Sequence, residues 1–325
     1  MEKSDSATNG SGDRYWQPRR LAHVNMFVDD YESAGAYYRD IVGFAEVYRQ
    51  PNNMATFMSN GNTYHDLGLT DIHSRYCKPD QRPDIWHLAF EVETEVDLVD
   101  GYNRAVEAGV TFEMIEDHDV AHSLYFVDPD GLLVEVYADV KDDWRSHRSG
   151  IFNEEKPRYV PGVTSEPVAE QLYPKDPQID VVEDAVFHPK RITHTALVTA
   201  KFEEAYEFYT SLIGLSPFAG GPADAFAVLR GTVGSGDLTL YRHRPGLRPG
   251  FHHAGFEVWD EDDLDRSIAA LDGKGIHAER IIDHPARRGV TITDPDGHRL
   301  QFFVNRDWTP AAIEAIDDET ALYLL

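Results

Sequence analysis

Short stretches of alternating apolar and polar residues recur along the chain, among them 21–28 and 85–92, and each is followed by a segment of helical period. Ala34, Tyr37, Tyr38 and Ile41 supply the apolar stripe after the first stretch, and Val99, Tyr102 and Val106 after the second. Gly43, Gly109, Gly214 and Gly275 stand where such helices should stop. Short apolar runs separated by polar turns come next, and Asp128-Pro129-Asp130-Gly131 makes a tight turn between the last two. The unit this pattern predicts is β-α-β-β-β.

The unit repeats. Trp86-His87-Leu88-Ala89-Phe90-Glu91-Val92 matches His252-His253-Ala254-Gly255-Phe256-Glu257-Val258, and Asp128-Pro129-Asp130-Gly131 matches Asp294-Pro295-Asp296-Gly297. His87 to His253, His118 to His284 and Asp128 to Asp294 all share one offset, 166 residues, over a gapless stretch. Nearer the start of each half, Ala22-His23-Val24-Asn25 pairs with Thr193-His194-Thr195-Ala196. The expected architecture is therefore α+β, four βαβββ modules in two related halves.

The boundaries follow from where the pattern lapses. Residues 1–17 are polar and Ser/Gly-rich and are expected to form a disordered tail. Residues 18–140 and 190–306 hold the two halves, and the Pro- and charge-rich stretch 141–189 reads as a linker. Residues 307–325 read as a helical tail with an apolar end that packs on a neighbour or at a subunit contact.

Composition narrows the function. Lys and Arg number 30 against 57 Asp and Glu, a net charge of −27, which with no basic patch argues against nucleic acid as a partner. A single cysteine, Cys77, excludes a disulfide framework and a cysteine-rich metal site. No apolar run is long enough to span a bilayer, and the N-terminus lacks the apolar core of a signal peptide, so a cytoplasmic protein without a membrane partner is expected.

The repeat also sorts the 15 histidines. His23 and His87 occupy the first strands of modules one and two, and Glu135 the strand after the Asp-Pro-Asp-Gly turn. Strand period places Leu21, His23 and Asn25 on one face and Leu133, Glu135 and Tyr137 on another. If the two modules curl into a cup, His23, His87 and Glu135 meet on its floor. Two imidazoles and one carboxylate with open positions form the facial triad favoured by non-heme Fe(II) oxygenases; Zn(II) and Mn(II) accept the same set. A lone strand histidine is ordinarily a hydrogen-bonded core residue, but a buried carboxylate beside two of them is not ordinary. The second half offers His194, His253 and Gln301, an amide in place of the anionic ligand, and Thr291 where the first has Tyr125. It reads as a retired copy kept as scaffold.

Here the residues resemble the type I extradiol ring-cleaving dioxygenases of the vicinal oxygen chelate superfamily, over roughly residues 20–140 and 190–305. The sharpest part runs from His118 through Tyr125 and Gly131 to Glu135, where a histidine, an aromatic hydroxyl and the metal glutamate recur at family spacing; Glu116 departs from it, standing where a small or apolar residue is usual. The resemblance implies two vicinal oxygen chelate domains, with His23, His87 and Glu135 as metal ligands for Fe(II), Mn(II) being the alternative. It also implies that His65 is the acid and base, that His118 and Tyr125 hydrogen-bond the substrate oxygens, with His122 as the alternative to His118, and that Asn25 lies beside the oxygen site. Many two-domain members keep the metal in the C-terminal half, unlike this chain. Some pair module one with module four; adjacent pairing is expected here because it brings Asn25 and His65 into one cup with Tyr125 and Glu135.

The activity so implied is cleavage of a catechol-type substrate by O₂ next to its vicinal diol, within aromatic catabolism, by a homo-oligomer. The alternatives are a metal-dependent glyoxalase-like lyase or epimerase and a non-catalytic protein that sequesters a planar ligand, since one fold hosts all three. Trp144, Phe152 and Tyr159 of the linker are candidate pocket walls.

Overall fold

A computed structural model describes residues 14–153 and 156–325. The first module runs β1 (Arg20–Val28), α1 (Tyr31–Tyr37, continued by a wider turn through Val42), β2 (Ala45–Gln50), β3 (Ala55–Ser59) and β4 (Leu67–Asp71). The second runs β5 (Asp84–Glu91), α2 (Glu95–Glu107), β6 (Met114–Asp117), β7 (Ala121–Val127) and β8 (Leu133–Asp139). After α3 (Trp144–His147) and β9 (Gly150–Ile151) the order repeats. The third module is β10 (Pro189–Thr199), α4 (Phe202–Glu207), β11 (Ser216–Gly220), β12 (Phe226–Arg230) and β13 (Leu238–Arg242). The fourth is β14 (Gly250–Val258), α5 (Glu261–Leu271), β15 (Ala278–Asp283), β16 (Arg287–Thr293) and β17 (Arg299–Asn305), before α6 (Pro310–Glu314) and α7 (Asp318–Leu324).

Modules one and two share one sheet in the order β6-β7-β8-β5-β1-β4-β3-β2-β9, and modules three and four share another, β11-β12-β13-β10-β14-β17-β16-β15. The seam in the first sheet is antiparallel, β1 on β5, while β4 and β8 run parallel to their own module's first strand. The modules thus pair with their neighbours in sequence, which places β1, β5 and β8 side by side.

Local chemistry sets the helix ends. The Thr94 and Asp260 side chains accept the N–H of Asp97 and Asp263 at the starts of α2 and α5, as N-cap residues do. At Gly43 and Gly214 the chain leaves the helix at φ 94° and 90°, and a Cβ there would collide with the carbonyls of Phe187 and Trp16. Only glycine meets both demands.

The core runs across both halves: Val24, Met26 and Val28 of β1 and Val134 and Val136 of β8 join Ile192, Leu197, Phe256 and Phe302. Two reciprocal bonds fasten the halves. Tyr38 donates to Asp294 and Tyr209 to Asp128, each at 3.0 Å, so the first tight-turn aspartate of each half anchors the other half's helix.

Several expectations change. Leu21 belongs to the core with Val24 rather than to the His23 face, because a bulge between Leu21 and His23 adds a residue and reverses side-chain parity. Of the expected tail, residues 1–13 lie outside the described residues; Trp16 is buried, stacks on Phe126 at 5.5 Å and donates to the Leu98 carbonyl. The stretch 141–189 lies as a strap along the first sheet: β9 pairs with β2, Trp144 is buried, and Tyr159 stacks on His122 at 3.8 Å. The C-terminal residues pack on their own chain, where Ile313, Leu322, Leu324 and Leu325 cover Ala196, Val198 and Tyr241 of the second sheet. Among the described residues no helix is long and apolar enough to cross a membrane.

Candidate metal centre

The three neighbouring strands bring their side chains to one point. Glu135 Oε2 lies 3.1 Å from His23 Nε2 and 3.1 Å from His87 Nε2, and one donor atom from each residue falls within 4.8 Å of the others. Register explains the convergence: His87 pairs with Asn25, and Ala89, between His23 and Glu135, presents only a methyl group between the larger side chains. All three ligand candidates are buried.

Burial opposes the charged form of Glu135, yet the neighbouring His23 and His87 imidazoles hold its carboxyl well below the usual carboxylate range. Burial also lowers the affinity of His87 for a proton. The set therefore offers a carboxylate and neutral nitrogen, the forms that bind a divalent cation. Glu135 Oε1 and His87 Nε2 have no hydrogen-bond partner among the described residues. Donors converging this closely, with buried lone pairs unspent, fit a bound metal ion.

The other expected site residues surround this cluster. His65, between β3 and β4, lies with its ring 4.1 Å from that of His23; its Nδ1 meets the Tyr48 hydroxyl at 3.3 Å, and its buried Nε2 is unpartnered. Burial holds His65 well below the ordinary histidine pKa, and burial with Lys156 does the same for His118. Tyr125 is the register partner of Glu135, and its hydroxyl lies 2.9 Å from His118 Nε2. Asn25 fits because its strand partner is Gly68, where a Cβ would collide with the Asn25 amide. These residues line one cavity of about 370 Å³.

His122 does not line it. Its Nδ1 lies 2.5 Å from Glu95, which also accepts from the Tyr159 hydroxyl and the Val168 N–H, so this histidine secures the strap. Of the three candidate strap walls, Phe152 lines the cavity, whereas Trp144 and Tyr159 do not. Glu116 sits at the cavity, paired with Lys156 and 3.4 Å from His118. Sequence reasoning missed Tyr48, Phe57, Trp86 and Arg148, which the cavity also touches. Only the alternation of β2 and β3 hinted at the first two; nothing marked Arg148.

The equivalent cup of the second half is filled. Arg287, at the position of Ala121 by the 166-residue offset, donates to Gln301 Oε1 at 2.9 Å and to the Leu324 carbonyl at 2.6 Å, and lies over the rings of Phe303 and Trp308. Gln301 in turn donates to the Tyr323 carbonyl at 2.6 Å. A guanidinium and the C-terminal segment thus occupy the space beside His194 and His253. A second grouping, Asp294, Asp296 and His298, is a turn lock: Asp294 Oδ1 accepts the N–H groups of Asp296 and His298, and Oδ2 accepts from Tyr38 and meets His298 Nδ1.

Both halves of the chain resemble known proteins. The model of the Glyoxalase/Bleomycin resistance protein/Dioxygenase superfamily matches residues 20–136 and 191–302. Biphenyl-2,3-diol 1,2-dioxygenase 3 of Rhodococcus globerulus is 29% identical over 123 residues, 37% of this chain and 63% of that protein's length. The manganese-dependent 2,3-dihydroxybiphenyl 1,2-dioxygenase of Geobacillus genomosp. 3 is 22% identical over 316 residues, 90% of this chain and 88% of that one. Among solved structures, the Mn(II)-bound glyoxalase from Novosphingobium aromaticivorans superposes with a TM-score of 0.62 at 19% identity, covering 90% of this chain and 85% of the other.

Proposed function

The chain belongs to the glyoxalase/bleomycin resistance protein/dioxygenase superfamily, and from that premise we propose that it is an Fe(II)-dependent extradiol dioxygenase acting on a catechol-type substrate. The observation that carries the reading is the gathering of His65, His118, Tyr125 and Asn25 around the His23, His87 and Glu135 cluster in one cavity. A glyoxalase-like lyase or epimerase needs a carboxylate base at the metal, whereas a ring-cleaving site needs groups that move a proton and orient two oxygens.

His23, His87 and Glu135 would hold the ion, which when bound would supply one-electron redox chemistry and open coordination positions. The residues around it do the rest. His65 Nε2, buried and unpartnered, takes the proton of a substrate hydroxyl and returns it later; its depressed pKa keeps it a base at neutral pH. The Tyr48 hydroxyl at its Nδ1 fixes the ring's orientation. Tyr125, its proton held tightly by burial, remains a hydrogen-bond donor, and with His118 it orients the diol and steadies charge that develops on its oxygens. Tyr48, Phe57, Trp86 and Phe152 line the cavity and keep bulk water from the reacting ring.

The Mn(II)-bound glyoxalase neighbour favours a second reading, a lyase or epimerase that uses the metal without O₂. O₂ consumption separates the two. Protein reconstituted anaerobically with Fe(II) is given a panel of catechols while the ultraviolet–visible spectrum is scanned. Uptake with a new band near the visible edge supports ring cleavage; silence with stoichiometric Zn, Mn or Ni bound favours the lyase, and silence with no metal favours a sequestering protein.

A further inference from the structure

The strap carries a cation into the cavity whose hydrogen bonding is incomplete. Arg148 follows α3, is 4% exposed and lines the cavity. Its guanidinium lies 4.0 Å over the Phe152 ring and 5.7 Å from the Tyr48 ring centre, and Nη2 donates to the His118 carbonyl. Nη1 is buried without an acceptor, and among the described residues no carboxylate pairs with this arginine. The chain has 57 acidic residues against 30 basic ones, so carboxylates to pair with it are plentiful. An unsatisfied buried charged donor is costly, and natural structures ordinarily supply its partner.

Two cations of the same protein show the contrast. Lys156, at the same cavity, is paired with Glu116. Arg287, buried in the opposite cup, donates to Asn305, Gln301 and the Leu324 carbonyl. Arg148 alone of the three is left with an arm to fill, beside the groups that would hold a substrate. A guanidinium presents a planar fork that matches a carboxylate, and flanking aromatic rings hold the fork in place and keep its charge from water.

We propose that Arg148 receives a carboxylate carried on the aromatic ring, so that the natural substrate is a vicinal diol with an anionic substituent rather than a neutral aryl diol. This rests on the extradiol reading for the diol and on Arg148 for the anion, and the two are tested separately. The full-length metal-loaded protein is titrated calorimetrically under nitrogen with matched acids and amides: 3,4-dihydroxybenzoate and 3,4-dihydroxyphenylacetate, each against its primary amide, and phenylacetate, which lacks the diol.

A charge-assisted pair predicts that each acid binds at least about tenfold tighter than its amide. Arg148→Met brings the ratio to about one and leaves amide affinity in place, while Arg148→Lys, which keeps the charge and loses the fork, retains part of it. Equal binding of acid and amide to the unaltered protein overturns the proposal, as does a preference that survives in Arg148→Met. The unaltered protein decides by itself if Arg148→Met does not fold. Acid preference without O₂ uptake on any diol would retire ring cleavage and leave the Arg148 assignment standing. Turnover of neutral diols with no acid preference would do the reverse.

Discussion

Replacing Glu135 with glutamine reproduces in the first cup what Gln301 is in the second, and its consequences can be worked from the structure. The carboxylate is buried, its Oε2 lies 3.1 Å from two imidazole nitrogens, and Oε1 is unpartnered. The amide keeps the shape and one acceptor but removes the only anion of the set. Breaking a buried charge pair by deleting one partner costs about 3–5 kcal/mol, and about 1.4 kcal/mol is a factor of ten, so metal affinity should fall by about two to four orders of magnitude. At free metal one hundred times the dissociation constant, binding stabilises the native protein by about 2.7 kcal/mol; a hundredfold weaker site retains about 0.4 kcal/mol. Chelator competition measures the affinity, and urea unfolding with and without metal measures the linked stability. An unaltered affinity in Glu135→Gln, or equal metal-linked stabilisation of both proteins, would refute the assignment of Glu135 as a ligand.

Three further outcomes are expected. His65→Phe should bind metal as the unaltered protein does and lose about 10²–10⁴ in turnover, the span of acid–base catalysis; retained turnover with a retained pH profile removes His65 from proton transfer. Asp237 is buried, and burial raises its pKa from 3.8 to about 6 although it accepts the N–H groups of Gly231 and Leu21. Between about pH 4 and 6 the native protein therefore holds a proton that the unfolded chain has released, so this residue's contribution is full at low pH and fades as pH rises, by about 3 kcal/mol in all. In urea titrations the stability of the unaltered protein relative to Asp237→Asn should fall between pH 4 and 7; a constant difference contradicts the assignment. Trp16→Ala should destabilise by about 3–5 kcal/mol, the cost of emptying a buried aromatic site; a change below 1 kcal/mol would mean that this stretch adds nothing to the core.

The duplication was legible because the 166-residue offset requires no structure, and a period-two pattern was enough to place His23, His87 and Glu135 on strands. Period two also separates His122 from Tyr125: they lie three residues apart on β7, an odd step that turns them opposite ways, and His122 meets Glu95 while Tyr125 meets His118. Leu21 failed by the same rule, because a bulge changes parity without leaving a mark in composition. Arg148 and the C-terminal cover were hidden for another reason. Their places depend on where irregular chain settles against a finished sheet, and neither periodicity nor repeat register reaches such segments.

The two cups show why one half could keep the chemistry. A cup whose floor carries two imidazoles and a carboxylate needs a cation; without one, it must lose the carboxylate or find another positive group. The first half keeps Glu135, with Ala121 on the neighbouring strand. The second has Gln301 in place of the carboxylate and Arg287 in place of Ala121, and Arg287 and Gln301 bond to each other and to the carbonyls of Leu324 and Tyr323. The exchanges are complementary: an anion beside Arg287 would have paired with it, and a metal ion beside it would have been repelled. Charge, more than shape, then separates the halves. The converse follows for the first cup, where introducing arginine at Ala121 should displace the metal even with all three ligands intact.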